Sequence, residues 1–346
     1  MRCQSGAKKA TKVVDSIMHP KNIVIVLLFS TICSSTPIKR VFAEQKPQIP
    51  FGTFLQGVKA DGIKKGLSAS TLDAALDGIA PLEQVIKYDR NQPEFKQSFW
   101  DYQKKRVTKS VIKEGKAKLS INAELLSQTE AEYGVPSRFI VAFWGMESRF
   151  GKYTGKIPIV QALATLAWDP RRSKFFRREL LQALTIIDRG YIDAAQLKGS
   201  WAGAMGQMQF IPSSYMNWAV DANGDGKRDL WSTPSDIFAS AANYLKSNGW
   251  NASKTWGRRV HIPVALDRTN LSRKIETPLE VFQAMGVRRI TGGALPRVVI
   301  DAGIIFPDES DPSLAYLIYQ NFNVILHWNR SDSYAIAIGR LADSLR

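Results

Sequence analysis

The sequence offers almost no thiol or imidazole chemistry. Its two cysteines, Cys3 and Cys33, both fall within the first 43 residues. The rest of the chain therefore has no disulfide, no thiolate nucleophile and no cysteine-ligated zinc site. Beyond that segment the only histidines are His261 and His327, far apart in sequence and without partners at metal-ligand spacing. These absences argue against a histidine-based triad or zinc centre and leave the chemistry to carboxylates.

The first 43 residues differ from the rest of the chain. A short apolar run at residues 23–29 follows four lysines, and Val41-Phe-Ala43 suits the −3 and −1 positions of a cleavage site. Because the run is short for a membrane-spanning helix, the pattern predicts a secretory signal peptide cleaved near Ala43. The alternative is an uncleaved anchor. Bulky Ile32 directly before Cys33 argues against lipid anchoring there, and we expect an exported, periplasmic protein.

Acidic residues are scarce relative to basic ones. The formal net charge is +16, and residues 1–43 contribute seven Lys/Arg against one Asp, so an excess of +10 remains beyond them. Such a charge favours anionic partners. No nucleic-acid-binding motif is present. We therefore expect a monomer that associates with the cell wall or peripherally with a membrane, and that does not bind nucleic acid.

One acidic residue has unusually apolar neighbours. Glu147 ends the stretch Phe-Ile-Val-Ala-Phe-Trp-Gly-Met-Glu at residues 139–147. A helix that begins at Pro136-Ser137 places Trp144 and Glu147 on one stripe, with Gly151 available as its stop. A buried carboxyl has a raised pKa and stays protonated near neutrality. A general acid that cleaves an acetal needs this property.

A second segment carries a family resemblance. Residues 199–215 read Gly-Ser-Trp-Ala-Gly-Ala-Met-Gly-Gln-Met-Gln-Phe-Ile-Pro-Ser-Ser-Tyr, and its glycines allow close approach to a polysaccharide or tight helix packing. Together with Glu-Ser-Arg-Phe-Gly at residues 147–151, this segment resembles the membrane-bound lytic murein transglycosylase B family, from about residue 50 to the C-terminus. The resemblance implies cleavage of the β-1,4 bond between N-acetylmuramic acid and N-acetylglucosamine in peptidoglycan glycan strands. Water takes no part, and a 1,6-anhydromuramoyl end is left.

The carboxylates in the sequence support the same reaction. Ordinary glycosidases use two carboxylates, but residues 199–215 have no acidic residue. The nearest acids, Asp169, Glu179 and Asp188, lie in arginine-rich or amphipathic surroundings. One carboxyl suffices if the substrate supplies the nucleophile, because Glu147 can act first as acid and then as base. Two alternatives stay open: a hydrolytic muramidase and a non-catalytic peptidoglycan-binding protein.

The resemblance also implies a set of substrate-binding residues. They are Tyr102, Arg171, Arg172, Ser200, Met208, Gln209, Phe210, Tyr244, Asn323 and Trp328. The arginine pair suits the carboxylates of a stem peptide through the planar guanidinium fork, and a solvated charge run is the alternative. The family usually has Tyr where this chain has Trp328, which keeps the aromatic surface and loses the hydroxyl. For any single aromatic residue, core packing is the competing interpretation.

Residues 221–229 have the spacing of a calcium loop, Asp-Ala-Asn-Gly-Asp-Gly-Lys-Arg-Asp. Gly226 allows the sharp turn. The standard loop closes with Glu at its twelfth position, where this chain has Ser232. The resemblance implies a delayed acidic ligand at Asp236, with Asp229 as its substitute. We predict a structural Ca²⁺ site, and an Asx turn without metal is the alternative. The expected ligands are Asp221, Asn223, Asp225, the Lys227 carbonyl and Asp236.

The periodicity predicts a mainly α protein of the α+β class. We expect a helical N-terminal domain over 44–135, a lysozyme-like catalytic core with the calcium loop over 136–253, a small β-rich insert over 254–310, and a C-terminal segment over 311–346 that returns to the core. Helices are expected at 51–66, 70–76, 120–132, 159–167, 175–189, 235–248 and 334–345, the last capped by Ser331 or Asp332. Strand-like runs are expected at 260–264, 288–291 and 298–301, and within 314–328.

Overall fold

The computed structural model describes residues 49–91, 97–269 and 271–346. The predicted signal peptide and its cleavage site lie outside these residues. Within the described ranges, no helix combines the length and the apolarity that crossing a membrane would require.

Six helices form the N-terminal part of the described chain. They are α1 (Phe51–Lys64), α2 (Ala69–Leu76), α3 (Glu83–Arg90), α4 (Phe99–Arg106), α5 (Lys109–Ile121) and α6 (Ala123–Tyr133). The side chains of Ser68, Ser98 and Thr108 accept backbone N–H groups at the starts of α2, α4 and α5, which satisfies donors that a helix start leaves unpaired. Gly134, with φ 71°, ends α6 in the left-handed conformation, as its sequence position predicts.

The middle of the chain is also helical, with one short antiparallel strand pair. Its elements are α7 (Ser137–Ser148), β1 (Ile157–Pro158), α8 (Ile159–Trp168), α9 (Ser173–Asp188), β2 (Lys198–Gly199), α10 (Pro212–Trp218) and α11 (Pro234–Ser247). β1 pairs with β2, so that Ile157 faces Gly199. This pairing ties the glycine-rich segment to the start of α8.

A five-stranded antiparallel sheet lies in the C-terminal third. Its strands are β3 (Gly257–His261), β4 (Thr277–Pro278), β5 (Arg288–Arg289), β6 (Asp301–Ile305) and β7 (Ala315–Ile318), in the order β4-β6-β7-β3-β5. Helix α12 (Leu279–Ala284) belongs to the same region. A hydrophobic cluster that includes Val260, Phe282, Ile304 and Leu317 is separate from the main core.

The last two helices return to the main core. They are α13 (Gln320–Trp328) and α14 (Asp332–Ser344), and Ser331 accepts the Tyr334 N–H as the cap of α14. The strand-like interpretation of 320–328 is wrong, because α13 buries positions 321, 322, 324 and 325, which is the spacing of one helix face and not of a strand. The predicted strand at 298–301 is also displaced, since β6 begins only at Asp301.

Helix α7 is the buried centre of the fold. It begins where Pro136-Ser137 predicts, and every residue from 139 to 146 is buried. Helices α5, α6, α11 and α14 pack around it. Its end differs from expectation, because Arg149 (φ 53°) and Phe150 (φ 57°) already adopt the left-handed conformation before Gly151 does. A helix surrounded on all sides is apolar on all sides, which explains why its single acidic residue stands out.

Candidate functional site

Glu147 occupies the last turn of α7, where the buried helix reaches a cleft. The Tyr334 hydroxyl, from the start of α14, donates a hydrogen bond to Glu147 Oε1. Burial raises the pKa of Glu147 to about 7. Three weaker influences act in the opposite direction: the Tyr334 hydrogen bond, the positive charge of Arg106, and a hydrogen bond from the Trp328 side chain. The carboxyl therefore keeps its proton to a higher pH than an exposed Glu does, as a general acid requires.

Four aromatic rings form one wall beside this carboxyl. Trp328 lies 4.6 Å from Tyr244 and 5.2 Å from Phe210, measured between ring centroids. Trp218 extends the wall at 4.6 Å from Tyr244. The Tyr244 hydroxyl donates to the His327 carbonyl at 2.8 Å, which fixes the ring of Tyr244 against α13. Rigid aromatic faces of this kind suit the flat faces of sugar rings.

The cleft has a volume of about 410 Å³, and polar side chains form much of the rest of its lining. Gln209, Ser213, Ser214, Asn217 and Asn329 contribute to its lining. Among the described residues that line the cleft, Glu147 alone is acidic. The cleft therefore presents one proton-transferring carboxyl, aromatic faces, and neutral hydrogen-bonding groups.

The glycine-rich segment shapes part of the cleft wall through its backbone. Ser200 N–H donates to the Ala204 carbonyl at 2.8 Å, and the Ser200 hydroxyl accepts the Ala204 N–H at 3.0 Å. Gly199 packs so tightly that a Cβ there would lie 2.0 Å from the Ala204 oxygen. The segment therefore needs glycine for close approach of two backbone stretches. Ser200 supports this turn, and Ala204 lines the cleft.

Gln209 is held in a defined orientation at the cleft. Its backbone is left-handed, with φ 49°. Its side-chain N–H group donates to the Gly206 carbonyl at 2.8 Å and to the Thr154 carbonyl at 3.2 Å. The amide oxygen is consequently the group that remains for a ligand donor.

The other predicted substrate-binding residues fall into two groups. Phe210, Tyr244 and Trp328 line the cleft with Glu147, and Tyr102 on α4 is close enough to Tyr334 to raise the pKa of that hydroxyl further. Two others differ from expectation, since the cleft lining includes neither Met208 nor Asn323. Met208 is fully buried in the core, whereas Asn323 is partly exposed on α13.

The predicted arginine pair has a protein partner that the sequence did not reveal. Arg171 Nη1 lies 2.9 Å from Asp89 Oδ2, and Arg172 also pairs with the Asp89 carboxylate. Asp89 is only 2% exposed, whereas the two arginine side chains are 46% and 43% exposed. The pair is thus partly used in holding α3 to the loop before α9, and its outer edges remain accessible to a ligand.

The predicted calcium loop is organised by its own carboxylates. Asp221 accepts the N–H groups of Gly224 and Gly226, both at 2.8 Å, and Asp225 accepts the Lys227 N–H at 2.8 Å. Asp236 is fully buried and accepts the Ala222 and Asp229 N–H groups. Within the described ranges, no three acidic, histidine or cysteine side chains converge as a metal cluster. The loop still has oxygen donors at the spacing that Ca²⁺ uses.

Sequence reasoning missed Tyr334, His327 and Asn329. All three lie near the C-terminus, and only the fold brings them to Glu147, which is 187 positions from Tyr334 in the chain. A local signal existed for Tyr334, since it follows the Ser331 cap by three residues and so must stand in the first turn of α14. No such signal places that turn beside α7.

The fold and the cleft together define a lysozyme-like enzyme, with a buried helix that carries one protonatable carboxyl into an aromatic cleft. Residues 50–343 match the family model described as Transglycosylase SLT domain. The chain is 31% identical to membrane-bound lytic murein transglycosylase B of Escherichia coli (strain K12) over 296 residues, which is 82% of this chain and 79% of that protein. The chain therefore belongs to the Transglycosylase SLT domain family and is a lytic transglycosylase, as the sequence motifs predict.

Solved structures give the same result. SltB3 from Pseudomonas aeruginosa, in complex with NAG-anhNAM-pentapeptide, is 40% identical and superposes with a TM-score of 0.81 over 85% of this chain and 79% of its own. Escherichia coli Slt35, in complex with calcium, is 30% identical with a TM-score of 0.72 over 84% of this chain and 92% of its own. The prediction of a mainly helical, lysozyme-like fold is confirmed.

Proposed function

We propose that this chain cleaves the β-1,4 bond between N-acetylmuramic acid and N-acetylglucosamine in peptidoglycan without water, leaving a 1,6-anhydromuramoyl end. Glu147 serves as acid and then as base. The relatives support the substrate class: Pseudomonas aeruginosa SltB3 is described in complex with NAG-NAM-pentapeptide and with NAG-anhNAM-pentapeptide. The first ligand has the intact sugar and the second has the anhydro sugar.

The observation that carries the proposal is the single carboxyl of the cleft. A hydrolytic muramidase would need a second carboxylate to act as nucleophile or to activate water. The described residues that line the cleft include Glu147 and no other acid. A mechanism in which the substrate supplies its own nucleophile needs one carboxyl, and Glu147 provides it.

The first step is protonation of the leaving oxygen. Because Tyr334 donates its hydrogen bond to Oε1, the transferable proton of Glu147 belongs on Oε2. Oε2 gives this proton to the glycosidic oxygen while the bond from C1 to that oxygen breaks. The bond electrons leave with the N-acetylglucosamine hydroxyl, and positive charge develops at C1. The resulting carboxylate is stabilised by the Tyr334 and Trp328 hydrogen bonds and by the charge of Arg106.

The second step closes the anhydro ring. The muramic acid C6 hydroxyl attacks C1 as its proton passes to the Glu147 carboxylate, which restores the starting acid. One bond from C1 to oxygen forms, and the proton count is unchanged over the cycle. The aromatic wall excludes water from one side of the cleft and so favours the internal hydroxyl over hydrolysis.

The remaining site residues have proposed roles of their own. The Gln209 amide oxygen would accept a sugar hydroxyl or N-acetyl N–H, because its N–H group is already used. Trp328, which is partly exposed, would stack on a sugar face, and the buried rings of Phe210 and Tyr244 would support it from behind. The exposed edges of the arginine pair would bind stem-peptide carboxylates. Roles for Ser200, Tyr102, Met208 and Asn323 at the substrate remain predictions.

We also propose that the 221–236 loop binds a structural Ca²⁺, with the Lys227 carbonyl and the side chains of Asp221, Asn223, Asp225 and Asp236 as ligands. The support is the donor spacing around Gly226 and the calcium complex described for Escherichia coli Slt35. A bound ion would hold the loop and would not join the chemistry. The protein is proposed to be an exported periplasmic monomer at the cell wall.

Product analysis tests the reaction. Muropeptides released by the purified chain, with residues 1–43 removed, should end in 1,6-anhydromuramic acid when examined by mass spectrometry. Digestion in ¹⁸O-water should leave C1 unlabelled. Predominantly reducing, labelled ends would replace the proposal with a muramidase reaction.

A further inference from the structure

Two aromatic side chains from distant parts of the sequence meet at the surface outside the cleft. Tyr88 on α3 and Trp201 in the glycine-rich segment have ring centroids 6.4 Å apart, with planes inclined at 45°. Tyr88 is 42% exposed and Trp201 is partly exposed. Single exposed apolar side chains are normal, whereas neighbouring ones form the contiguous surface that ligands use.

Tyr88 stands on a helix that is fixed at both ends. At the start of α3, Leu82 N–H donates to the Thr165 hydroxyl on α8 at 3.0 Å. At its end, the buried carboxylate of Asp89, directly after Tyr88, holds the two arginines that precede α9. Separating the arginines from the buried Asp89 carboxylate would leave an unpaired buried charge, which is costly. The position of Tyr88 is therefore set before any ligand arrives.

Trp201 stands on the turn that also forms the cleft wall. Ser200 and Ala204 close this turn by hydrogen bonds at 2.8 Å and 3.0 Å, and Trp201 lies between them. Ala204 lines the cleft together with Glu147. Three peptide steps of 3.8 Å keep the Cα atoms of Trp201 and Ala204 within about 11 Å of each other. The ring pair thus lies within the reach of a polymer bound in the cleft.

We propose that Tyr88 and Trp201 form a platform that binds a sugar ring of the glycan strand beyond the rings seated in the cleft. This inference rests on the proposed function, because it needs a glycan strand in the cleft. A pyranose ring has C–H groups on its faces and hydroxyl groups at its edge. Aromatic faces pack against the C–H groups and leave the hydroxyl groups in water.

The platform adds affinity for long strands and none for the shortest ones. A substrate that only fills the cleft does not reach the two rings, whereas a longer strand contacts both regions at once. Because both rings are preorganised, little conformational entropy is lost on binding. The enzyme therefore prefers polymeric glycan to short fragments, and the difference resides in these two residues.

A binding experiment tests the platform without relying on turnover. Glu147→Gln protein is combined separately with Trp201→Ala and Tyr88→Ala, and binding to purified glycan strands stripped of stem peptides is measured. Each alanine variant should weaken binding to long strands by about tenfold, or about 1.4 kcal/mol. The matched variants Trp201→Phe and Tyr88→Phe keep a ring and should bind within about threefold of the parent.

The shortest cleavable fragment supplies the second arm. In the active enzyme, which keeps Glu147, Tyr88→Ala should leave kcat/KM for that fragment unchanged and should lower kcat/KM for long strands. Because Tyr88 lies outside the glycine-rich turn, this variant separates platform loss from damage to the cleft wall. Unchanged long-strand binding in both alanine variants would overturn the platform, as would an equal loss for short and long substrates. Absence of lytic products from the unmodified protein would instead refute the proposed function.

Discussion

At the scale of single residues, Glu147 is held where its surroundings oppose its charge. Burial raises its pKa to about 7, and the hydrogen bonds of Tyr334 and Trp328 only partly offset that rise. Between pH 4.5 and about 7 the folded state therefore keeps a proton that the unfolded state has released. Stability must fall as the pH rises through this window. The protein is less stable near neutrality because of the group that it needs for catalysis.

Glu147→Gln should abolish nearly all lytic activity and stabilise the fold at alkaline pH. Gln keeps the shape and has no transferable proton. The free energy of unfolding should rise by at most about 3 kcal/mol, because folding raises the pKa of Glu147 from 4.5 to about 7. Urea unfolding at about pH 8 and about pH 4.5 measures it, since the two proteins should differ at the first and converge at the second. Turnover near the parent rate in the variant would contradict the assigned role.

Tyr334→Phe should move the alkaline limb of the kcat/KM profile to higher pH. The hydroxyl lowers the pKa of Glu147 by donating to its carboxylate, so its loss lets the acid keep its proton longer. The maximal rate should also fall, by roughly 10- to 100-fold, because the carboxylate formed in the first step loses a charge-assisted hydrogen bond. A pH–rate profile measures both effects.

Tyr319→Phe is the matched control for that experiment. Its hydroxyl is also buried and accepts a hydrogen bond from Arg258 at 2.8 Å, but it packs in the sheet's own hydrophobic cluster. It should reduce stability without moving the pH profile. A profile shifted equally by both substitutions would mean that general loosening, and not the Tyr334 hydrogen bond, sets the pKa of Glu147.

The sequence exposed some site residues and concealed others for a physical reason. Glu147 is predictable because it is the one acidic residue in an otherwise apolar helical stretch, and this pattern is visible in consecutive residues. Asp89 is also buried, at 2% exposed, but sits in an ordinary polar helix, and its arginine partners lie 82 and 83 positions away. Such pairings depend on helix packing, which local pattern does not encode.

At the scale of elements, the end of α7 decides where Glu147 points. The chain reverses through Arg149, Phe150 and Gly151, all with positive φ, and the Phe150 ring folds back beneath the helix. It lies edge-on to Trp144 at 5.6 Å. The buried Phe150 ring therefore fixes the end of the helix more than Gly151 does. The left-handed conformation begins at Arg149, two residues before the glycine that the sequence predicts as the stop.

Gly145→Ala should disturb this reversal. A Cβ at Gly145 would lie 2.8 Å from two atoms of the Phe150 ring, so the ring or the helix end must shift. Overpacking of this kind destabilises a core by about 1–3 kcal/mol, and activity should fall because Glu147 lies only two residues further on. Gly52→Ala in α1 is the control, since nothing lies within 4 Å of its Cβ. It should be neutral or stabilising by up to about 1 kcal/mol.

The elements that the local sequence pattern failed to predict are those whose secondary structure depends on packing against other elements. α13 contains enough β-branched and aromatic residues to resemble strands, but its buried face against α14 and the aromatic wall selects a helix. By contrast, α8, α9 and α11 begin and end within two residues of the sequence-based bounds. Their apolar positions recur at helical spacing along the whole of each helix, so their own pattern is sufficient.

At the scale of the whole molecule, one glutamine connects the catalytic helix with the acidic loop. Gln207 accepts the Trp144 indole N–H at 2.7 Å and donates from its own amide to the Trp231 carbonyl at 2.6 Å. Its backbone N–H also donates to the Leu230 carbonyl at 2.7 Å. Order in the 221–236 loop is thereby transmitted to α7. Stability of the loop should therefore matter to the global fold.

Calcium should raise the melting temperature of the protein. An ion that binds only the folded state stabilises it by about 2.7 kcal/mol at a concentration 100 times Kd. EGTA should thus lower the melting temperature by several degrees, and added Ca²⁺ should restore it. Mg²⁺ should be a poor substitute because it gives up its water shell reluctantly. Differential scanning calorimetry with and without chelator provides the measurement.

Asp225→Ala should remove this calcium response while leaving activity at low temperature largely intact. Asp225 holds only the Lys227 N–H and the Asn223 side chain within the loop, so its loss weakens ion binding more than it weakens the apo fold. Asp308→Ala is the matched control, because Asp308 also accepts one backbone N–H and one side-chain donor, both from Ser310, in an exposed turn but lies outside the loop. It should keep the full response to EGTA. A melting curve of the unmodified protein that ignores the chelator would show that the carboxylates of this loop serve only its turn.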